Sequence, residues 1–271
     1  MSFVKTAAEI AQIERALARP EFVSGERLTV EFLTDPATVE RLLPPLLEPS
    51  AAPLVLASVG RWQSNCVGDY AGGSIYLTAR HGGVDGAYAL AMFMDTEPSV
   101  IFGREVFGEP KKLAASAMFR RGNRFHGYLE RHGTRLLELH AELGEDLGES
   151  ALDAYAFNYK ARPAANGIGL EGPVSLTRAH FQTTIKARRE GTGSVQLRST
   201  VHDPLAEIPV VSVVRAYHTE HDISARCETA GSVAAEQFLP YFHGRSDNWL
   251  ALDSTAAQGA KISPSAGAAS R

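Results

Sequence analysis

The sequence predicts an α+β chain that is predominantly antiparallel β, and three observations carry that prediction. From Leu54 to about Val214, short β-type runs succeed one another. Turn residues punctuate them, among them Gly82-Gly83, Arg121-Gly122-Asn123 and Glu190-Gly191-Thr192-Gly193. Helical periodicity is confined to short segments toward the two ends. Strands separated by tight polar turns form successive hairpins, whereas strand–helix alternation would announce a parallel sheet.

Taken in order, Thr6 and Glu9 have capping-box spacing, Ile10, Ile13 and Leu17 share one helical face, and Pro20 stops the segment. This predicts a short amphipathic helix. Leu28, Val30 and Phe32 alternate with polar residues as a half-buried strand does. Asp35-Pro36 then supplies an N-cap and a first-turn proline for a helix through about Leu43, ended by Pro44. Ser232 to Phe242 reads as helical again. Residues 254–271 are small and polar without apolar period, the composition of a disordered tail. With no repeat or linker in the body, residues 1–253 read as one domain.

The 271 residues are 44% hydrophobic, enough for a full core. Their 27 basic and 31 acidic residues give a formal charge of −4 and are interleaved, leaving no basic stripe for a phosphate backbone. Nucleic acid is therefore not expected as a partner. No apolar run reaches bilayer length and no secretory signal opens the chain, so a cytoplasmic protein without a membrane partner is expected. Cys66 and Cys227 are expected to be reduced, buried thiols.

The most informative segment is Gly103-Arg104-Glu105-Val106-Phe107-Gly108-Glu109-Pro110-Lys111-Lys112-Leu113-Ala114. It sets adjacent lysines after a proline, between apolar runs. A desolvated ammonium loses its proton more easily, and a neighbouring cation pushes the same way, which frees an amine to attack a carbonyl. Lys112 is the expected neighbour perturbing Lys111.

Gly-Arg-Glu, five residues, then Lys-Lys resembles the signature of the acetoacetate decarboxylase superfamily, itself a standard example of an activated lysine. Gly86-Ala87-Tyr88 through Asp95-Thr96-Glu97-Pro98 resembles the strand and acidic-proline turn that precede that signature, so the likeness extends over roughly Thr34 to Ala115. The resemblance implies a β-barrel or cone enclosing an active-site cavity, with short peripheral helices, a homo-oligomer and no cofactor. It implies that Lys111 forms the Schiff base.

Several positions leave the family pattern. The glutamate that follows the family's strand tyrosine (here Tyr70) falls at Gly72, a second glutamate falls at Ala57 or Ser58, and the first-strand arginine falls at Gly25, with Arg27 close by. Gly72, Ser74 and Tyr76 should share one strand face, giving a cavity widened at Gly72 and lined by the Tyr76 phenol. Arg104 can hold a substrate carboxylate through its planar fork, or else pair structurally with Glu105. Tyr241, in a segment that resembles the family's C-terminal helix, is a second proton-transfer candidate or a core aromatic. Trp62 and Gln63 are candidates for the cavity entrance, and Glu105 is counted with the substrate-binding residues.

The leading functional expectation is a lyase that captures pyruvate or another 2-oxo acid through Lys111 and joins it to an aldehyde with loss of water, or runs the reverse hydration and cleavage of an unsaturated 2-oxo acid. A β-keto acid decarboxylase and a non-catalytic small-ligand carrier are the alternatives.

Other signals carry less. Gly167-Ile168-Gly169-Leu170-Glu171-Gly172 has dinucleotide-fingerprint spacing, but Pro173 and a β-type run follow where a helix should open. His218, His221, Asp222 and Cys227 are spaced so that an extended chain would point them to different faces, so no metal is expected there. No Gly-x-Ser-x-Gly elbow occurs.

Overall fold

The computed structural model describes residues 2–252, so the tail expected at 254–271 lies outside the described residues. Helix α1 (Ala7–Ala18) starts at the Thr6 capping box: the Thr6 hydroxyl accepts from the Glu9 amide at 3.3 Å, and the Glu9 carboxylate accepts from the Thr6 amide at 2.8 Å. Strand β1 (Glu21–Leu33), helix α2 (Pro36–Leu42), the short β2 (Glu48–Pro49), β3 (Leu54–Ser64), β4 (Gly68–His81) and β5 (Val84–Met94) follow. Next come α3 (Glu97–Phe102), a π-helical turn (Gly103–Phe107), β6 (Lys111–Leu113), β7 (Ala115–Arg121), β8 (Arg124–Arg131) and β9 (Thr134–Asp146). The chain continues through β10 (Ser150–Lys160), β11 (Val174–Leu197), a 3-10 turn (Leu205–Glu207), β12 (Ser212–Val233), α4 (Ala235–Gly244) and α5 (Trp249–Leu252).

The main sheet runs β10-β5-β4-β3-β1-β12-β11, and a second pairing of β10 with β11 closes these seven strands into a barrel. From the far half of β11 the sheet continues through β9, β8 and β7, which fold back over β1 and β3. Side chains alternate across a strand. Leu28 and Val30 of β1 and Val59 of β3 therefore point outward into one core with Phe125, Leu129, Leu137 and Leu139, all of them no more than 3% exposed. Arg27, next to Leu28 and on the opposite face of β1, points into the barrel and lines its cavity. Gly127 of β8 allows the close approach, since a Cβ there would lie 3.1 Å from that of Val59.

The mainly antiparallel expectation holds, with two parallel pairings, β5–β6 and β5–β10. Three local expectations differ. Glu190–Gly193 is no turn: β11 runs straight through it, and a Cβ on Gly193 would come 2.6 Å from that of Ala216 and 2.8 Å from the His140 carbonyl oxygen. The glycines let three strands approach. The segment after Asp95 is a helix rather than a turn, entered at Thr96 with Pro98 in its first turn. The C-terminal helix starts at Ala235, because β12 keeps its pairing with β11 as far as Val233. The glycine-rich 167–172 segment is a loop with positive φ at Gly167, Gly169 and Gly172.

Candidate active site

Lys111 sits where α3, the π turn and β6 meet the barrel mouth. The turn ends at Gly108, whose φ of +76° and tight packing on the Lys160 backbone suit only glycine. Pro110 then leads into β6, which lies parallel to β5 with Lys111 beside Met92. The Arg104 guanidinium donates to the Lys111 carbonyl at 3.2 Å, and Arg245 donates to the carbonyls of Tyr159 and Gly108. Two cations thus clamp the backbone on either side of the lysine.

The Lys111 side chain enters a cavity of about 220 Å³ inside the barrel. Its Nζ lies 2.9 Å from Glu109 Oε2, and each of the two side chains is 6% exposed. Residues two apart in an extended segment leave the backbone on one side, which brings the pair together. A Cβ on Gly103 would collide with both side chains, so the signature glycine is the space they occupy. The same Nζ is 5.9 Å from the Tyr70 ring centroid, within cation–π range. Burial, reinforced by the negative charge of Glu109, holds the Tyr70 phenol well above the ordinary tyrosine range. Burial likewise raises Tyr76, whose hydroxyl faces Met92 Sδ at 3.8 Å. Both phenols are neutral donors.

The remaining wall divides by chemistry. Arg27, the hydrogen-bonded Ser58–Ser74 hydroxyl pair (2.9 Å), Tyr76 and Tyr217 are polar; Phe22, Phe102, Phe107, Phe181 and Ile223 are apolar. Among the described residues Arg27 makes no salt bridge or side-chain hydrogen bond, and its Nε is buried without a partner. Trp62 donates its indole N–H to His221 Nε2 at 3.0 Å and stacks on Tyr70 with centroids 5.4 Å apart. His221 Nδ1 is 3.1 Å from the Thr219 hydroxyl. Burial, with Arg27 adding to it, pushes His221 down to about 3, so it is a neutral acceptor that fixes the Trp62 plane.

Of the sequence candidates, Lys111, Tyr76 and Trp62 meet in the cavity. The others do not. Arg104 is spent on the Lys111 backbone, and Glu105 is exposed, 4.0 Å from Arg162. Gln63 is exposed on the face of β3 opposite Trp62. Tyr241 packs in the outer core, stacked on Phe238 at 6.1 Å. Gly72 does not widen the cavity: a Cβ there would collide with the Phe93 carbonyl and lie 2.6 Å from Met94 Sδ. Lys112, expected beside Lys111, leaves β6 on the other face. Its Nζ binds Asp203 at 2.7 Å and the carbonyls of His202 and Ser246 at 3.0 Å, while Arg131 joins Asp203 to Asp247. His218, His221, Asp222 and Cys227 form no ligand set among the described residues; Asp222 pairs with Lys186 at 2.7 Å.

Two residues that complete the constellation were not singled out from sequence. Glu109 stood inside the signature, and its two-residue offset from Lys111 was the available signal. Arg27 was noted only as a neighbour of Gly25. A Cβ on Gly25 would lie 2.7 Å from Trp62 Cδ1 and 2.8 Å from His221 Nε2, so that position houses the Trp62–His221 pair while Arg27 reaches the cavity.

The profile of the family described as acetoacetate decarboxylase matches residues 8–235. The chain belongs to the acetoacetate decarboxylase family. Members of this family are enzymes, and lysine Schiff-base chemistry occurs among them. Relatives named acetoacetate decarboxylase include one from Burkholderia vietnamiensis, 30% identical over 75% of this chain and 84% of its own, and one from Burkholderia lata, 28% identical over the same shares. Solved structures share the fold: acetoacetate decarboxylase from Legionella pneumophila has a TM-score of 0.71 at 23% identity, covering 79% of this chain and 87% of that one. The enduracididine biosynthesis enzyme MppR, solved with the condensation product of pyruvate and imidazole 4-carboxaldehyde, has a TM-score of 0.68 at 19% identity, covering 81% and 90%.

Proposed function

We propose that this acetoacetate decarboxylase family member is a Schiff-base lyase that takes pyruvate or another 2-oxo acid and couples it to an aldehyde with loss of water, or runs the reverse. The observation that carries the reading is the buried Lys111–Glu109 pair at 2.9 Å in a cavity that also holds the unpartnered Arg27. Glu109 accepts a proton from the Lys111 ammonium, and the freed amine adds to the keto carbon. Glu109 returns that proton to the departing hydroxyl, so that loss of water gives the iminium and leaves Glu109 a carboxylate again. A methyl proton passes to Glu109, with the Tyr70 or Tyr76 phenol donating to oxygen, and the resulting enamine attacks the aldehyde. Dehydration extends conjugation toward the imine, and hydrolysis returns Lys111. Arg27 holds the carboxylate, the role first expected of Arg104, as a guanidinium suits a retained carboxylate. The apolar wall suits an aldehyde with a hydrophobic body.

Borohydride reduction in the presence of pyruvate, followed by peptide mapping, tests the imine. Label on Lys111 supports the reading; label on Lys112, or none with any keto acid, overturns it. Pyruvate with an aromatic aldehyde should give a chromophoric unsaturated 2-oxo acid. A specific observation keeps the β-keto acid decarboxylase in view: Glu109 restores a carboxylate beside Lys111 although Gly72, Ala57 and Ser58 supply none. Fast carbon dioxide release from acetoacetate with no aldehyde-dependent absorbance would favour it.

A further inference from the structure

Outside the barrel, on the solvent face of β8 and β9, His126 and His140 are directly paired across the strands, and Glu138 lies two residues before His140 on the same face. The two imidazoles are stacked with centroids 4.4 Å apart and planes 7° apart. Both Nε2 atoms face one carboxylate oxygen, Glu138 Oε1, at 3.1 Å from His126 and 3.8 Å from His140. The second oxygen, Oε2, accepts from Arg198 at 3.0 Å, and that hydrogen bond holds the Glu138 carboxyl below the usual range. Phe119 stacks on His126 at 6.1 Å and fixes its ring.

We propose that His126, Glu138 and His140 bind a borderline divalent transition-metal ion of the zinc class, at a site separate from the Lys111 cavity. Two neutral imidazoles and one carboxylate are the donor set such ions prefer. The ion binds the two Nε2 atoms and Oε1 in place of their present contacts, with the single proton of each neutral imidazole on Nδ1. Arg198 stays on Oε2 as the hydrogen-bonded support that metal-ligating carboxylates carry. Donors about 2.0–2.2 Å from a shared ion stand roughly 3–4 Å apart. The three donor atoms already lie within 4.8 Å of one another, and the His140 side chain, 58% exposed, can close the remainder. Arg135, 3.3 Å from Oε1, must yield, and its side chain is 43% exposed. Three protein donors leave a position for water or for a donor from another molecule.

The test uses the full-length chain without a histidine tag, stripped with chelator and titrated with zinc chloride by calorimetry, with imidazole signals followed by NMR. One ion per chain is expected, with selective shifts of the His126 and His140 rings. His140→Ala and Glu138→Gln should each weaken binding at least about tenfold, the scale seen when metal-site groups are removed. No saturable binding, shifts at other histidines, or unchanged affinity in His126→Ala and His140→Ala would overturn the proposal. Borohydride trapping at Lys111 should be the same with and without zinc.

Discussion

Under the proposed function, Glu109 and Arg27 make separable demands on a keto substrate. Glu109 serves the proton, so Glu109→Gln should slow iminium formation by about 10²-fold or more, the usual scale for a positioned base, with the loss read from the time course of borohydride trapping. Arg27 serves the carboxylate, so Arg27→Met should weaken pyruvate capture by about ten- to a hundredfold, on the scale of a charged hydrogen bond, and acetone capture much less. Equal losses for both ketones would assign Arg27 to structure. Arg104→Lys should treat the two ketones alike, because its partner is a backbone carbonyl. The placing of Lys111 in the cavity was legible in the sequence, since its neighbours form a contiguous signature. Arg27 was not, because its proximity to Lys111 comes from the pairing of distant strands. The neighbour role expected of Lys112 failed for a local reason: consecutive residues of an extended strand face opposite ways.

The π turn, Gly108 and β6 behave as one device that aims Lys111. Gly103→Ala, which places a methyl where Lys111 and Glu109 cross, should abolish trapping and lower the urea midpoint. On the far face of β6, Lys112→Met strips Asp203 of one of its two cations in a buried cluster, with an expected cost of about 3–5 kcal/mol in chemical denaturation. Burial alone would raise the Asp203 carboxyl, but hydrogen bonds and charge from Lys112 and Arg131 outweigh it and hold it below the usual range. A carboxyl depressed in the folded state stabilises above its unfolded value of about 4 and loses that contribution as pH falls through the folded one. Lys112→Met should therefore be most damaging near neutrality and converge on the wild type in acid. The helix ends around α1 and α2 could be read from caps and prolines, which are short-range signals. The π turn could not, since a five-residue turn is too short to leave a periodicity.

At the scale of the molecule, two buried histidines tune stability to pH. His218 is pushed down to about 4 and His221 to about 3, burial being the main cause for each. Their unfolded values stand near 6.5, so each contributes stability above that pH and loses it as pH falls toward the folded value. The urea midpoint should decline from about pH 6.5 downward, before the carboxylates act, and His221→Gln should flatten that decline. The antiparallel β class was legible from alternation and turns. The barrel was legible only through the resemblance carried by the lysine signature, because closure rests on β10 pairing with β11 and β1 with β12, contacts that no local pattern encodes.

The pairing of β1 with β12 also sets an order of events during synthesis. Glu21 meets Ser224 across that ladder, and Arg27 meets Thr219, so the wall carrying Arg27 cannot close until the chain has been made well past residue 219. Contacts this remote in sequence form late and slowly. A nascent chain stalled before β12 should carry Lys111 accessible to amine-reactive reagents, and extension through residue 233 should protect it. Lys111 is made early, and its shelter is among the last parts of the molecule to be built.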